Sequence, residues 1–214
     1  MIVQEISFRA PEENIRYDEE LLKRAEDGQG GEVLRFWESP VVFVVLGRMG
    51  DTDEDVILDN TTRDNVPVIR RASGGGTVVQ GPGCLNYSLI LSKTNPDVAD
   101  LKRSYAYILS RVVQALSQVG VDAEFLPISD IALKANHKKI SGNAQKRGRN
   151  FILHHGTILY QFDLPLISRY LKTPKDIPKY RQGRSHADFV ENLEGDIYVF
   201  KKVMIDIWRS APCK

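Results

Sequence analysis

Two stretches of this 214-residue chain hold residue types whose spacing can do chemistry. The first is RRASGGGTVVQGPGCLNYSLIL, residues 70–91. Its three successive glycines, Gly74, Gly75 and Gly76, weaken any strand or helix containing them, so what they offer is backbone freedom and close approach of N–H groups to something negative. A phosphate or acyl-phosphate suits such a cradle, and Arg70 and Arg71 just upstream can neutralise it with a bidentate geometry that lysine lacks. The spacing matches neither the P-loop nor the dinucleotide fingerprint, and a glycine-rich turn beside a solvated arginine pair explains the residues equally well. The second stretch is HKKISGNAQKRGRNFILHHGTILY, residues 137–160. From Lys134 to Arg149 there are six Lys and Arg side chains and no acidic one. A lysine there can stabilise the charge that develops when a carboxylate attacks an α-phosphate, although a basic run alone is usually a solvated face. His154 and His155 are adjacent, so on a regular strand they point to opposite faces and cannot chelate one ion.

Together these stretches resemble the signature of the lipoate-protein ligase A family, within the wider group of biotin ligases and octanoyltransferases. The resemblance runs from about residue 34 to 192 and includes the strand end Val45-Leu46-Gly47-Arg48. Lys139, Ser141, Gly142, Ala144 and Gln145 fall on the core positions of the family's lysine motif, and HHGT follows it. The resemblance implies an ATP-dependent enzyme that activates lipoate or octanoate to acyl-AMP, then transfers the acyl group to a specific lysine of a lipoyl carrier domain protein. By carry-over Lys139 is catalytic, bridging the acyl carbonyl and the adenylate phosphate, whereas Lys138 is an exposed charge. Arg70, Arg71, Ser73, Gly74, Gly75, Gly76, Thr77, Gly81, Gly83 and Asn86 are expected to wrap the adenylate. Ser141, Gly142, Ala144, His155, Gly156 and Thr157 complete that surface, with His155 facing substrate and Gly156 giving it room. Trp37 falls where the family sets an aromatic wall against the acyl tail, a place that core packing explains almost as well. Asp130 is expected to help place the nucleotide phosphates and Mg2+, the alternative being a turn residue. ATP and Mg2+ are the implied cofactors.

Two departures matter. Many relatives have Asn where this chain has Cys84, and many carry an additional small C-terminal domain. The chain is expected to be one catalytic domain over 1–214 without that addition, so a separate accessory subunit, or a reaction limited to one half, is implied. An octanoyl or lipoyl transferase would instead need an activated thiolate beyond the glycine loop, and no cysteine lies between Cys84 and Cys213. The GRGRxGR loop of biotin ligases is absent. A non-catalytic module holding lipoate or a lipoyl carrier is the remaining alternative, against which intact Lys139 argues.

The elements that must position these residues are read from periodicity. Strands are expected over 2–8, 32–37, 41–46, 66–71, 77–80, 85–91, 122–126, 130–134, 138–145 and 152–162. Helices are expected over 12–27, 98–119, 164–171 and 197–208, with 51–59 a loop or solvated helix. This is an α+β pattern of mixed, largely antiparallel sheets flanked by helices, covered mainly on one face, like the biotin/lipoate ligase catalytic domain. Residues 172–192, with Pro174, Pro178 and Gly183, are expected to be a mobile cover or docking surface. A net charge of +1, with 42% hydrophobic and 27% charged residues, gives no reason for bulk attraction to nucleic acid or membrane. No apolar run is long enough to span a bilayer, and two cysteines suggest neither a disulfide framework nor a zinc site, so a cytoplasmic protein is expected.

Overall fold

The computed structural model describes residues 1–174 and 177–210. The chain begins with β1 (Ile2–Glu5), α1 (Pro11–Glu26), β2 (Val33–Trp37) and β3 (Phe43–Leu46). Pro11 opens α1 with a preset φ, and Glu12 and Glu13 in its first turn with Lys23 and Arg24 in its last complement the helix dipole. Two short helices, α2 (Thr52–Asp55) and α3 (Leu58–Arg63), take up the acidic stretch. Then come β4 (Val68–Arg70), β5 (Val78–Gln80), β6 (Cys84–Ser92), α4 (Pro96–Ala99) and α5 (Leu101–Gln118). The expected helix over 98–119 is thus divided. Asp100 is extended and its side chain accepts from the Arg103 amide, starting α5 anew, a cap that the continuous apolar period conceals. The chain continues with β7 (Ala123–Leu126), β8 (Asp130–Leu133), β9 (Lys139–Arg147) and β10 (Phe151–Leu159). It closes with α6 (Pro165–Tyr170), a 3-10 turn at Lys179–Arg181, α7 (His186–Phe189) and α8 (Ile197–Ser210).

The strands form a seven-stranded sheet in the order β1-β2-β6-β10-β9-β8-β7 and a three-stranded sheet in the order β4-β3-β5. Among the named strands of the described residues, only β1 with β2 and β3 with β4 pair in parallel. The architecture is the expected α+β one, but the large sheet is covered on both faces. On one side α5 and α8 bury Ile108, Leu109, Leu116, Phe200 and Met204 against Leu34, Phe36, Leu89 and Ile152. On the other, α1 packs Leu21, Leu22 and Ala25 on Val33, Ile90 and Leu153, while Phe43 and Val45 of the small sheet meet Trp37. Strand alternation makes this possible: Leu34 and Phe36 face one layer, Val33, Arg35 and Trp37 the other. Each such large side chain contributes about 1.5–3 kcal/mol on full burial.

Arg35 is fully buried in this second layer. It donates to Asp18 Oδ1 at 2.7 Å, to the Asn14 carbonyl and side chain at 2.9 and 2.8 Å, and to the Ile6 carbonyl at 3.0 Å. Burial nonetheless pushes the Asp18 carboxyl up, more than Arg35 and the Ser88 hydroxyl hold it down. The guanidinium also lies 5.3 Å from the Trp37 ring centre, so the same charge that ties α1 to β2 braces the indole. Among the described residues no helix is long and apolar enough to cross a membrane.

Candidate functional site

Strand register gathers five residues into one row. Asp130 lies opposite Gly142, Gly142 opposite Thr157, Thr157 opposite Asn86, and Asn86 opposite Trp37. Directly opposed residues share a face, so this row crosses five strands on the side toward α1 and the small sheet, about 19 Å between the outer two backbones at about 4.8 Å per strand. Lys139 joins it by an irregularity. On a regular strand, positions 139 and 142 would point to opposite faces. The β8–β9 register shifts between Ile131 and Ala132, a bulge that leaves Ile140 in the core and brings Lys139 round to the Gly142 side. Its Nζ then meets Asp130 Oδ1 at 2.8 Å. A Cβ on Gly142 would come within 3.0 Å of Lys139 Cε and Nζ, so the missing side chain is what leaves the ammonium its path.

The glycine loop is held from behind. Arg71 is buried, and burial lowers its pKa to about 10. It donates from Nη2 to the carbonyls of Gly74 at 2.7 Å and Gly76 at 2.8 Å, from Nη1 to Val45 O at 3.3 Å, and from Nε to Ser73 Oγ at 3.0 Å. Its charge thus organises the loop. Because a trans peptide sets its N–H opposite its C=O, holding those two carbonyls turns the amides of Gly75 and Thr77 away from Arg71. Gly75 has φ +86°, and a Cβ there would lie 3.7 Å from Ala144 Cβ, so the loop rests against β9. Ser73 Oγ is 2.6 Å from His155 Nε2. Burial first, and then the nearby Arg71 charge, hold His155 far below the usual histidine range, so the ring is neutral. With Arg71 already donating to the serine oxygen, the tautomer that fits has the Ser73 hydroxyl donating to Nε2.

These pieces line a single cavity of about 1390 Å³. One end is an apolar slot of Ile15, Trp37, Val45, Val78 and Leu153. Its middle is polar: Gln80 Nε2 donates to Thr157 Oγ1 and Thr157 to Asn86 Oδ1, each at 2.6 Å, while Thr77 donates to Asp55 Oδ2 at 2.5 Å. The far wall is the segment from Ile177 to Val190, where Tyr180 donates to Asp130 Oδ2 at 2.6 Å. Among the described residues, Gln80 Oε1 and Arg181 Nη2 are buried without a hydrogen-bond partner, and both residues line this cavity.

Of the residues singled out in the sequence, Trp37, Arg71, Ser73, Gly75, Gly76, Thr77, Asn86, Asp130, Lys139, Ser141, Gly142, Ala144, His155 and Thr157 line the cavity. Arg70, Gly74, Gly81, Gly83 and Gly156 are outside its lining. Arg70 donates to the carbonyls of Gly47, Arg48 and Gly50, and so ties down the neighbouring turn instead of facing an anion. The Gly156 Cβ position lies 1.9 Å from Asn143 Oδ1, on the helix side of the sheet, so the room it makes is for Asn143 and not for substrate. At Gly83 the Cβ position would strike the Gln161 backbone at 2.2 Å. Ser141 is engaged by Asn143 Nδ2 at 3.2 Å, in the buried cluster that also contains His154. The adjacent histidines do face apart: burial lowers His154 to about 3 on the helix side, whereas His155 meets the loop. Cys84 is fully buried and its thiol is pushed up by burial, while Cys213 lies outside the described residues. Gln80, Asp55, Tyr180 and Arg181 were not found by sequence reasoning: Gln80 sits in the glycine-rich stretch without a role read from it, and Asp55 and the Tyr180–Arg181 turn reach the cavity from elements with no motif around them.

The sequence and the fold resemble those of known proteins. A "probable lipoate-protein ligase A" of Mycoplasma pneumoniae is 33% identical over 162 residues, covering 76% of this chain and 46% of the relative. An octanoyltransferase LipM of Clostridioides difficile is 27% identical over 91% of this chain and 77% of its own length. Among solved structures, the bi-partite lipoate protein ligase of Thermoplasma acidophilum, studied with its E2 lipoyl domain, superposes with TM-score 0.83 at 25% identity over 97% of this chain and 81% of that one. A lipoate-protein ligase A bound with ATP gives TM-score 0.79 at 25% identity, over 97% and 83%. The chain spans about half the length, or less, of several of the curated relatives it matches. The lipoyl protein ligase A/B catalytic domain family matches residues 10–203, and the chain belongs to that family.

Proposed function

We propose that this protein is an ATP-dependent lipoate-protein ligase: it converts lipoate or octanoate to acyl-AMP and passes the acyl group to a lysine of a lipoyl carrier domain. One observation carries the reading. The apolar slot with Trp37, the glycine loop and the Lys139 ammonium open onto the same cavity, which joins an apolar wall for a tail to an amide-lined and cationic region for a carboxyl-phosphate. The acid's carboxylate attacks the α-phosphate in line and pyrophosphate leaves. The Lys139 ammonium sits where it can neutralise the bridging oxygens, while the amides of Gly75 and Thr77 hold the phosphate. The acceptor amine then attacks the acyl carbon, the carbon–oxygen bond to AMP breaks, and the amine's proton is lost to solvent. Segment 177–192 covers the anhydride against water; the two residues 175–176 of the expected 172–192 cover lie outside the described residues.

Magnesium is proposed only as a companion of the nucleotide. Among the described residues no three His, Cys, Asp or Glu side chains cluster as a metal site, and Asp130 has one oxygen on Lys139 and the other on Tyr180. A Mg2+ ion commonly arrives on phosphates with one or two carboxylates, so no step is routed through a metal built into the protein. An accessory subunit is proposed on the strength of the bi-partite relative.

The transferase reading requires a reachable thiolate, and the buried, proton-retaining Cys84 does not supply one. Incubation with ATP, magnesium and lipoate should release pyrophosphate, and a lipoyl carrier domain should gain the acyl mass. Acyl transfer from a carrier in the absence of ATP would favour the transferase; binding of lipoate without pyrophosphate would favour a carrier-binding module.

A further inference from the structure

The Lys139–Asp130 pair is held by a second element that the site's own motifs do not contain. Segment 177–192 grips the start of β9 on its main chain: the Glu191 amide donates to the Lys139 carbonyl at 3.0 Å, beside a bridge between Lys139 and Val190. Arg184 donates to the carbonyls of Asn136 and His137 at 3.2 and 3.1 Å, and to that of Tyr180 at 3.0 Å. Tyr180 is packed on Phe189, with ring centres 5.2 Å apart, so its hydroxyl is aimed by two independent contacts. That hydroxyl reaches Asp130 Oδ2 at 2.6 Å, while Oδ1 holds Lys139 at 2.8 Å.

A carboxylate with one partner can rotate about its last bond and offer either oxygen, and the ammonium follows it. A donor fixed on Oδ2 removes that freedom. We infer that Tyr180 is a positioning residue, which turns Asp130 so that Lys139 is fixed over Gly142, and thereby couples the docked state of segment 177–192 to the readiness of the lysine. The role is exerted through Asp130, with the tyrosine oxygen never touching the acyl group. It also gives Asp130 a task without metal, as the joint between the covering segment and Lys139.

The inference rests on the ligase reading for its kinetic consequence, and its test separates the two. Tyr180→Phe removes the hydroxyl and keeps the ring on Phe189. Pyrophosphate release with ATP and lipoate should then fall in kcat by about tenfold or more, the scale of a lost hydrogen bond to a charged group, with the KM for lipoate within about twofold. The decisive measurement is a cycle with Asp130→Asn: if the tyrosine acts through the aspartate, its effect should largely vanish in the Asp130→Asn background. The same four proteins are digested with trypsin without ligand, where cleavage after Lys179, Arg181 and Arg184 should accelerate in Tyr180→Phe and no further in the double variant. Additive effects in either cycle, or unchanged kcat in Tyr180→Phe, overturn the inference. A wild-type protein that releases no pyrophosphate refutes the ligase reading instead, and the proteolysis cycle then decides the coupling by itself.

Discussion

Gly47, which follows β3 and touches no catalytic group, should be as sensitive to substitution as the site itself. A Cβ at this position would lie 2.0 Å from the Gly75 carbonyl oxygen and 3.1 Å from its carbonyl carbon, with Arg71 Nη2 at 3.4 Å. Ordinary contact begins at 3.4 Å, so Gly47→Ala is short of room by about 1.4 Å against backbone, which cannot rotate away as a side-chain end would. The small sheet is locked below: β3 pairs on both sides, and Val44, Val45 and Leu46 are buried. The glycine loop must therefore move, by about 1 Å. A displacement of that size in a positioning element costs about 10²-fold in rate. Overpacking at one methyl costs about 1–3 kcal/mol, and each kcal/mol lowers the melting temperature by about 2–4 °C at this chain length. The assay is pyrophosphate release with ATP and lipoate beside a thermal melt. A loss of about 10²-fold in a protein still folded at the assay temperature is expected. Full activity in folded Gly47→Ala would mean that the geometry of the Gly75 peptide is not what the reaction uses, and the account of the loop given above would fail.

Other outcomes follow from the same geometry. Lys139→Ala should lower adenylate formation by about 10²–10³-fold, as loss of one charge-stabilising donor does. Asp130 is buried and its carboxylate keeps, among the described residues, only the Tyr180 hydroxyl once the ammonium is gone, so a stability cost of about 1–3 kcal/mol is expected, read in a thermal melt. Cys84→Ala should retain ATP-dependent turnover, and the wild-type thiol should resist alkylation until the protein unfolds, since the sulfur is fully buried and its proton is held by burial; rapid labelling in the native state would contradict this. His154 is kept neutral down to about pH 3 when folded, against 6.5 when free. The unfolded chain therefore binds more protons between those values, and the stability this residue contributes is fully present above pH 6.5 and lost as pH falls toward 3, by up to about 1.4 kcal/mol per unit. His155 acts in the same direction and the raised Asp18 in the opposite one, so urea denaturation between pH 7 and 5 should show a slope that shrinks in His154→Gln.

Local pattern determined much of this protein before any fold was considered. The two-residue period of a strand already separated His154 from His155, and the amphipathic period located α1, the greater part of α5, and α8. On physical grounds the GGGT loop and the KISGNAQ run stay open between a ligand cradle and a solvated turn, and it is their resemblance to the family's signature that identifies the family. What those residues do in space was decided elsewhere. The bulge opposite β8 brings Lys139 round to the Gly142 face, and no count along β9 reveals an irregularity that exists only between two strands. Arg71 reads as an anion ligand in sequence and is a brace for loop carbonyls in the fold, since the hydrogen bonds that occupy it come from residues whose positions depend on β3. Tyr180 lies 50 positions from Asp130 and meets it only because segment 177–192 folds back across β9. Residue type and period are local quantities and can be read along the chain. Register, bulges and the spending of each donor are pairwise quantities, settled when distant segments compete for the same partners.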